Sequence, residues 1–338
     1  MTAAIVVTSI NAPNAAMRAL AAGAKDHGFD FLVCGDSKSP QQFSLPGCRF
    51  LSVEAQVATG LRFAAACPVR SYARKNIGYL SAIAAGASLI VETDDDSLPR
   101  PGFFGARARQ VAAPSISGGG WLNVYRYFSD ANIWPRGLPL DAVRSPMRDF
   151  EELAIREVDC PIQQGLIDEN PDVDAIYRLL LALPQNFRGD RRIALGSGAW
   201  CPFNSQNTTW WPDAFALLYL PVHCSFRMTD IWRSLVAQRI AWENDWHLLF
   251  HEPTMWQDRN EHDLMDDFAL EVPGYLHNNR IRGVLEDLPL AGGVGNLTAN
   301  LRKCYEALVA MDVVGSGEMA LLGAWSADID GILERRHA

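Results

Sequence analysis

A β-branched run from Ser88 to Thr93 ends directly in three consecutive aspartates, Asp94, Asp95 and Asp96. The run predicts a strand. Two carboxylates about 4 Å apart repel by about 1 kcal/mol in water and about 4 kcal/mol at a near-surface dielectric, so the end of this strand must lie where something offsets the charge. The carboxyl end of a strand in an open α/β sheet is such a place, because loops and helix N-termini converge there on ligands. A solvated acidic turn is the alternative.

The preceding residues support a sheet of this kind. Ala4 to Ile10 and Phe31 to Cys34 predict strands, separated by an Ala-rich stretch from Asn14 to Gly23 with helical spacing. Arg49 to Val53 predicts a third strand, and a helix from Ser71 or Tyr72 to about Ala85, closed by Gly86, leads into the acidic strand. The order is βαβ(α)β, that of an α/β fold. Residues 97–170 are rich in Pro, Gly and Arg and predict mixed short elements. Helices are expected over Asp172 to Leu183, Thr229 to Glu243 and Asn300 to Met311. With no repeat and no polar linker, the expected organisation is one catalytic-type domain over 1–285 and a helical C-terminal extension over 286–338 packed on it.

Composition narrows the function classes. With 338 residues, 49% of them hydrophobic, the chain can bury a core without disulfides. A net charge of -9 repels a phosphate backbone, so no nucleic-acid partner is expected. Seven cysteines without a CxxC pair read as free thiols in a reducing compartment. The opening residues carry no basic n-region, and the longest apolar run, Ala214 to Val222, is short and contains Pro221. The expectation is a cytoplasmic protein with no integral membrane segment.

Alternate residues of an extended segment share a side, so Asp94 and Asp96 could hold one hard cation, Mn²⁺ or Mg²⁺, together with diphosphate oxygens. Arg74, Lys75 and Asn76 fall in the first turn of the helix before this strand. Cations there oppose the helix dipole unless an anion is bound, which suggests a diphosphate site; snorkelling side chains are the other reading. Asp36, after the second strand, reads as a nucleobase or ribose contact or as a turn residue. Asp230 is a general base for an acceptor hydroxyl or a cap-region charge, and Asp172 and Asp174 form another DxD that, ahead of a helical pattern, reads first as helix caps. His262 is a candidate late metal or phosphate ligand or a solvated residue at a helix start. Seven tryptophans between Trp200 and Trp256 raise the expectation that one or two line an acceptor cleft. The polar run Asn204-Ser205-Gln206-Asn207-Thr208 could orient hydroxyls or be a surface loop.

Longer motifs in one order carry a resemblance: Val7 to Asn11, Tyr72-Ala-Arg-Lys-Asn-Ile-Gly-Tyr-Leu80, Glu92-Thr-Asp-Asp-Asp96, Pro171 to Arg178, Pro202 to Thr208, Asp230-Ile-Trp-Arg233 with Gln238-Arg239, and Pro253-Thr254 followed by Gln257 to Asn260 and His262. They resemble the STELLO family of glycosyltransferases and, more distantly, the reversibly glycosylated polypeptides that include UDP-arabinopyranose mutases. The resemblance implies a GT-A-like open mixed sheet flanked by helices, with Asp94, Asp95 and Asp96 as a DxD-type metal and sugar-nucleotide site. The leading expectation is a metal-dependent hexosyl- or pentosyltransferase with a nucleotide-diphosphate sugar donor, UDP- or GDP-linked, and a glycan or small-molecule acceptor. Arg74 and Lys75 would stabilise the leaving diphosphate. A nucleotide-sugar mutase and a non-catalytic sugar-nucleotide-binding scaffold are the alternatives. The membrane anchor of the plant members is not expected here.

Overall fold

The computed structural model describes residues 2–258 and 263–337. It opens with β1 (Ala3–Thr8), α1 (Ala15–His27), β2 (Phe29–Cys34) and β3 (Arg49–Leu51). Parallel strands covered on both faces are continuous apolar runs, and in β1 Ala4 through Val7 are wholly buried. Asn14 Oδ1 accepts the Met17 N–H at the start of α1, and Gly28, at φ 72°, takes the left-handed turn that ends it.

Short helices α2 (Val53–Val57) and α3 (Arg62–Ala66) precede a 3₁₀ turn at Tyr72–Arg74. The turn runs into α4 (Lys75–Ala84), and β4 (Leu89–Thr93) follows, close to the expected bounds. The interval expected to be mixed holds β5 (Ser97–Pro99), β6 (Gln110–Ile116), β7 (Gly120–Trp121), α5 (Tyr125–Phe128), β8 (Ile155–Asp159) and β9 (Ile162–Asp168). Next come α6 (Ala175–Leu180), β10 (Arg192–Leu195), β11 (Ala199–Trp200), β12 (Asn207–Trp210), α7 (Thr229–Trp242) and β13 (Leu248–Gln257). The chain closes with α8 (Leu264–Asp287), α9 (Leu297–Ala310) and α10 (Glu318–His337). The helix expected over Asp172 to Leu183 is shorter, because Asp174 caps it by accepting the Tyr177 N–H.

The main sheet has the order β3-β2-β1-β4-β12-β9-β13-β10-β6-β8, with β5 on β13. Strands β3, β2, β1 and β4 are mutually parallel; β12 is antiparallel to both β4 and β9; and β13 is parallel to β9. Strands β2, β1, β4, β9 and β13 therefore all run toward the same edge. The larger core joins one face of the sheet to α4, α7, α9 and α10, and a smaller one packs α1 on the other face through Met17, Leu20, Ile5 and Val7. Glu318, at the start of α10, accepts from Tyr219 Oη and from the N–H groups of Val222 and His223, which ties the C-terminal helices to the rest of the chain. The architecture is α/β, a mixed sheet flanked by helices with a helical C-terminal region, consistent with a GT-A-like fold. Among the described residues no helix is long and apolar enough to cross a membrane.

Candidate active site

The strands that share a direction end at one cavity of about 480 Å³, within the range of small-molecule sites. Ser9 and Asn11 reach it from the end of β1, Asp36 and Lys38 from β2, Asp94 to Asp96 from β4, Asp172 from beyond β9 and Gln257 from β13. Arg70, Ser71 and Tyr72, before α4, and Phe226, Arg227 and Asp230, at the start of α7, bring two helix N-termini to the same place.

The aspartate triplet fans out along the wall. Asp94 Oδ1 accepts from Lys75 Nζ (3.0 Å) and Tyr72 Oη (2.8 Å). Burial lifts the Asp94 carboxyl above its ordinary range, against the opposing pull of Lys75 and Tyr72. Asp95 Oδ2 accepts from Ser9 Oγ and Asn11 Nδ2, so neutral groups from the end of β1 hold it. Asp96 Oδ2 accepts from Gln257 Nε2 at 2.9 Å. Among the described residues no three His, Cys, Asp or Glu side chains form a metal-binding group. His262 lies outside the described residues.

The other expected contacts divide. Asp36 reaches the cavity, but its oxygens accept the backbone N–H groups of Ser37, Arg70 and Ser71. Burial would raise this carboxyl, and the three amides outweigh it and hold it below its ordinary value. Arg74, Lys75 and Asn76 do not line the cavity. Arg74 is 1% exposed and donates to Gln56 Oε1 and to the Cys67 and Pro68 carbonyls. Asn76 exchanges hydrogen bonds with the Leu220 backbone, and Lys75 reaches the site through Asp94, Tyr72 and the Ser205 carbonyl. The first turn of α4 is packed into the core, which is why most of these polar groups bond to the protein; Arg74 Nη2 has no partner among the described residues. Of the four basic residues on the cavity wall, Arg136 and Arg227 are paired with carboxylates, whereas Lys38 and Arg70 are exposed and neither side chain has a partner among the described residues.

Asp230 is on the wall, tied into a buried cluster. Arg136 donates to both oxygens of Asp172, at 2.8 and 2.9 Å, and to Asp230 at 3.0 to 3.2 Å. Burial alone would raise Asp172, but the guanidinium beside it prevails and lowers it. Asn204 Nδ2 also donates to Asp172, and the Ser205 N–H to Asp230. Tyr72 Oη lies 2.5 Å from Ser205 Oγ, so hydrogen bonds run unbroken from Lys75 and Asp94 to this cluster. Asp174 is a cap as expected; Asp172 is part of the cavity wall.

None of the seven tryptophans lines the cavity; Trp200, Trp210 and Trp232 are fully buried in the core. The aromatic groups at the site are Tyr72 and Phe226, packed edge to face, with Phe226 57% exposed. The polar run 204–208 is buried and leads into the central strand β12. Sequence reasoning missed Lys38, Arg70, Arg136 and Phe226. Arg136 sits in Trp134-Pro-Arg-Gly137, where periodicity carries no signal, whereas Arg70 lies just ahead of the basic run that was singled out.

Fold and cavity together define an α/β protein of GT-A-like architecture with an acid-lined site at its carboxyl strand ends. No known family model matches the chain. It is 31% identical to Probable glycosyltransferase STELLO2 of Arabidopsis thaliana over 294 residues, which are 81% of this chain and 38% of that protein. It is also 31% identical to Probable glycosyltransferase STELLO1 of the same plant over 269 residues, 74% of this chain and 34% of that protein. The chain spans little more than a third of the length of these curated relatives, and over that stretch it is a relative of the STELLO family.

Proposed function

We propose that this chain is a glycosyltransferase that takes a nucleotide-diphosphate sugar into the cavity and passes the glycosyl group to an acceptor hydroxyl. One observation carries the reading: the aspartate triplet and the free cations Lys38 and Arg70 line a single cavity, in a chain related to proteins named as probable glycosyltransferases. In the reaction the bond from the sugar to the diphosphate breaks, a bond to the acceptor oxygen forms and the acceptor proton is lost to a base. Lys38 and Arg70 would place fixed positive charge against the departing diphosphate. Asp230 would serve as the base, with Arg136 and Ser205 orienting it.

Charge and donor chemistry fit a divalent cation. Six aspartates against four basic residues line the cavity, so an entering diphosphate needs further countercharge. Asp94 and Asp96 offer the carboxylate oxygens that Mn²⁺ or Mg²⁺ prefers, and diphosphate oxygens would complete the shell. Such a cation, when bound, neutralises charge developing on the leaving group. Calorimetric titration of UDP, GDP and their sugar conjugates, with and without Mn²⁺, tests the reading on wild type and on an Asp94→Ala, Asp96→Ala double variant. Metal-dependent binding of one nucleotide, lost in the variant, supports it. A folded wild type that binds none of them overturns it.

A further inference from the structure

Two buried side-chain amides on the cavity wall have carbonyl oxygens without a partner among the described residues. Gln206 is 8% exposed, and neither its Oε1 nor the rest of its side chain makes a hydrogen bond to a described residue. Gln257 is 4% exposed and donates through Nε2 to Asp96, while its Oε1 is likewise without a donor among the described residues. Buried polar groups are nearly always hydrogen-bonded, so two such residues lining one cavity point to something the cavity receives.

Their place in the sheet says which part of a ligand they would meet. Gln206 immediately precedes β12 and Gln257 ends β13, so they flank the end of β9. Lys38 follows β2, on the opposite side of the aspartates that end β4. With strands about 4.8 Å apart, the cationic side is about 10 Å from β4 in one direction and the amides are about 5 to 15 Å from it in the other. The cavity is therefore polarised, with the exposed cations Lys38 and Arg70, unpaired among the described residues, at one end and, at the other, the two amides beside the Arg136–Asp172–Asp230 cluster, whose charges pair with one another.

We infer that Gln206 and Gln257 form the pole that recognises the donor's sugar by hydrogen-bonding its ring hydroxyls. The inference rests on the nucleotide-sugar reading above. A hydroxyl both donates and accepts, so it satisfies a carboxamide whichever way round the amide lies. Acceptor oxygens predominate at this end, with Asp96 beside Gln257. That favours a neutral sugar rich in O–H donors and disfavours a uronate, whose carboxylate would meet further acceptors.

The test uses Gln206→Leu, which replaces an unpartnered polar group by an apolar one of similar size and should leave the melting temperature unchanged or raised. Titrations compare UDP with UDP-glucose and UDP-glucuronate, and GDP with GDP-mannose, in the presence of Mn²⁺. The expected result is that Gln206→Leu binds the neutral-sugar conjugate about tenfold more weakly, while binding of the bare nucleoside diphosphate stays within twofold. Loss of both by the same factor, or of neither, overturns the inference and leaves the nucleotide-sugar reading standing. If wild type binds neither UDP nor GDP, that reading fails separately. Saturation-transfer NMR with free glucose and mannose then decides the inference: contacts seen in wild type and lost in Gln206→Leu sustain it, and their absence in wild type overturns it.

Discussion

Arg136 spends its donors on a single task. Nε and Nη2 hold Asp172, Nη1 and Nη2 hold Asp230, and Nη1 also donates to the Arg227 carbonyl. Two buried carboxylates depend on one cation, so Arg136→Met should destabilise the fold by about 3–5 kcal/mol, the range for breaking a buried ion pair from one side. Urea unfolding measures this, and a loss under 1 kcal/mol would mean that the cluster relaxes or takes up water. Asp174 behaves differently, since burial pushes its carboxyl up from 3.8 to about 6, ahead of the bonds from the Tyr177 N–H and Trp134 Nε1 that pull it down. The folded chain then keeps a proton that the unfolded chain releases between about pH 4 and 6. Its contribution to stability is present in acid and is lost as pH rises through 6, a change of about 3 kcal/mol. Asparagine still caps a helix but does not titrate, so Asp174→Asn should gain on wild type between pH 4.5 and 7. A constant gap in urea midpoint across that range would refute the assignment.

At the scale of elements, α4 lies tightly on the sheet because Gly78 has no side chain. A Cβ there would stand 2.6 Å from Cys34 Sγ and 2.7 Å from Val6 Cγ1. Alanine gains about 1 kcal/mol of helix propensity over glycine, whereas overpacking a core costs about 1–3 kcal/mol. Gly78→Ala should therefore be net destabilising by about 1 kcal/mol, and adding Cys34→Ala should restore part of the loss. An additive double variant, by denaturant titration, would show that the clash is relieved elsewhere. The helix α4 and the strands around it were legible because their apolar spacing is regular. Helix α8 was not, and its inward stripe explains why: Asp267, Glu271, Gly274, Asn278, Ile281 and Leu285 have helical spacing, but the first four are not apolar. Their partners come from distant segments. Arg227 pairs with Asp267 and Glu271, and Asn278 binds Trp232 Nε1 and the Gly137 carbonyl. Strand β12 escaped notice for the same reason, since its buried Asn207 and Thr208 are satisfied by Leu166, Thr254, Gln164 and Asn204.

For the whole molecule, the C-terminal helices share the main core with α4 and α7, and Trp325 donates to the Ala216 carbonyl from within it. Helix α10 should therefore unfold together with the sheet. Far-ultraviolet circular dichroism and tryptophan fluorescence are expected to give coincident thermal transitions. Separate midpoints would mark α9 and α10 as an independent unit. Glu92→Gln probes the centre of the same core, where Glu92 pairs with the buried Arg233 and accepts from Tyr79 and Trp210. It should lower the midpoint of both signals equally.

The sequence by itself determined the α/β order, the strand that ends in the aspartate triplet and the presence of Asp94, Asp95, Asp96, Asp36 and Asp230 at strand ends or helix starts. These follow from local periodicity and from the position of charge beside it. Only the tertiary structure decided how those residues are used. Whether a basic side chain faces a ligand or the core depends on what packs against it, and this turned Arg74 and Asn76 inward while leaving Lys38 and Arg70 at the cavity. The pairing of Arg136 with Asp172 and Asp230 joins residues 36 and 94 positions apart, a proximity that exists only once the sheet has brought the ends of its strands together.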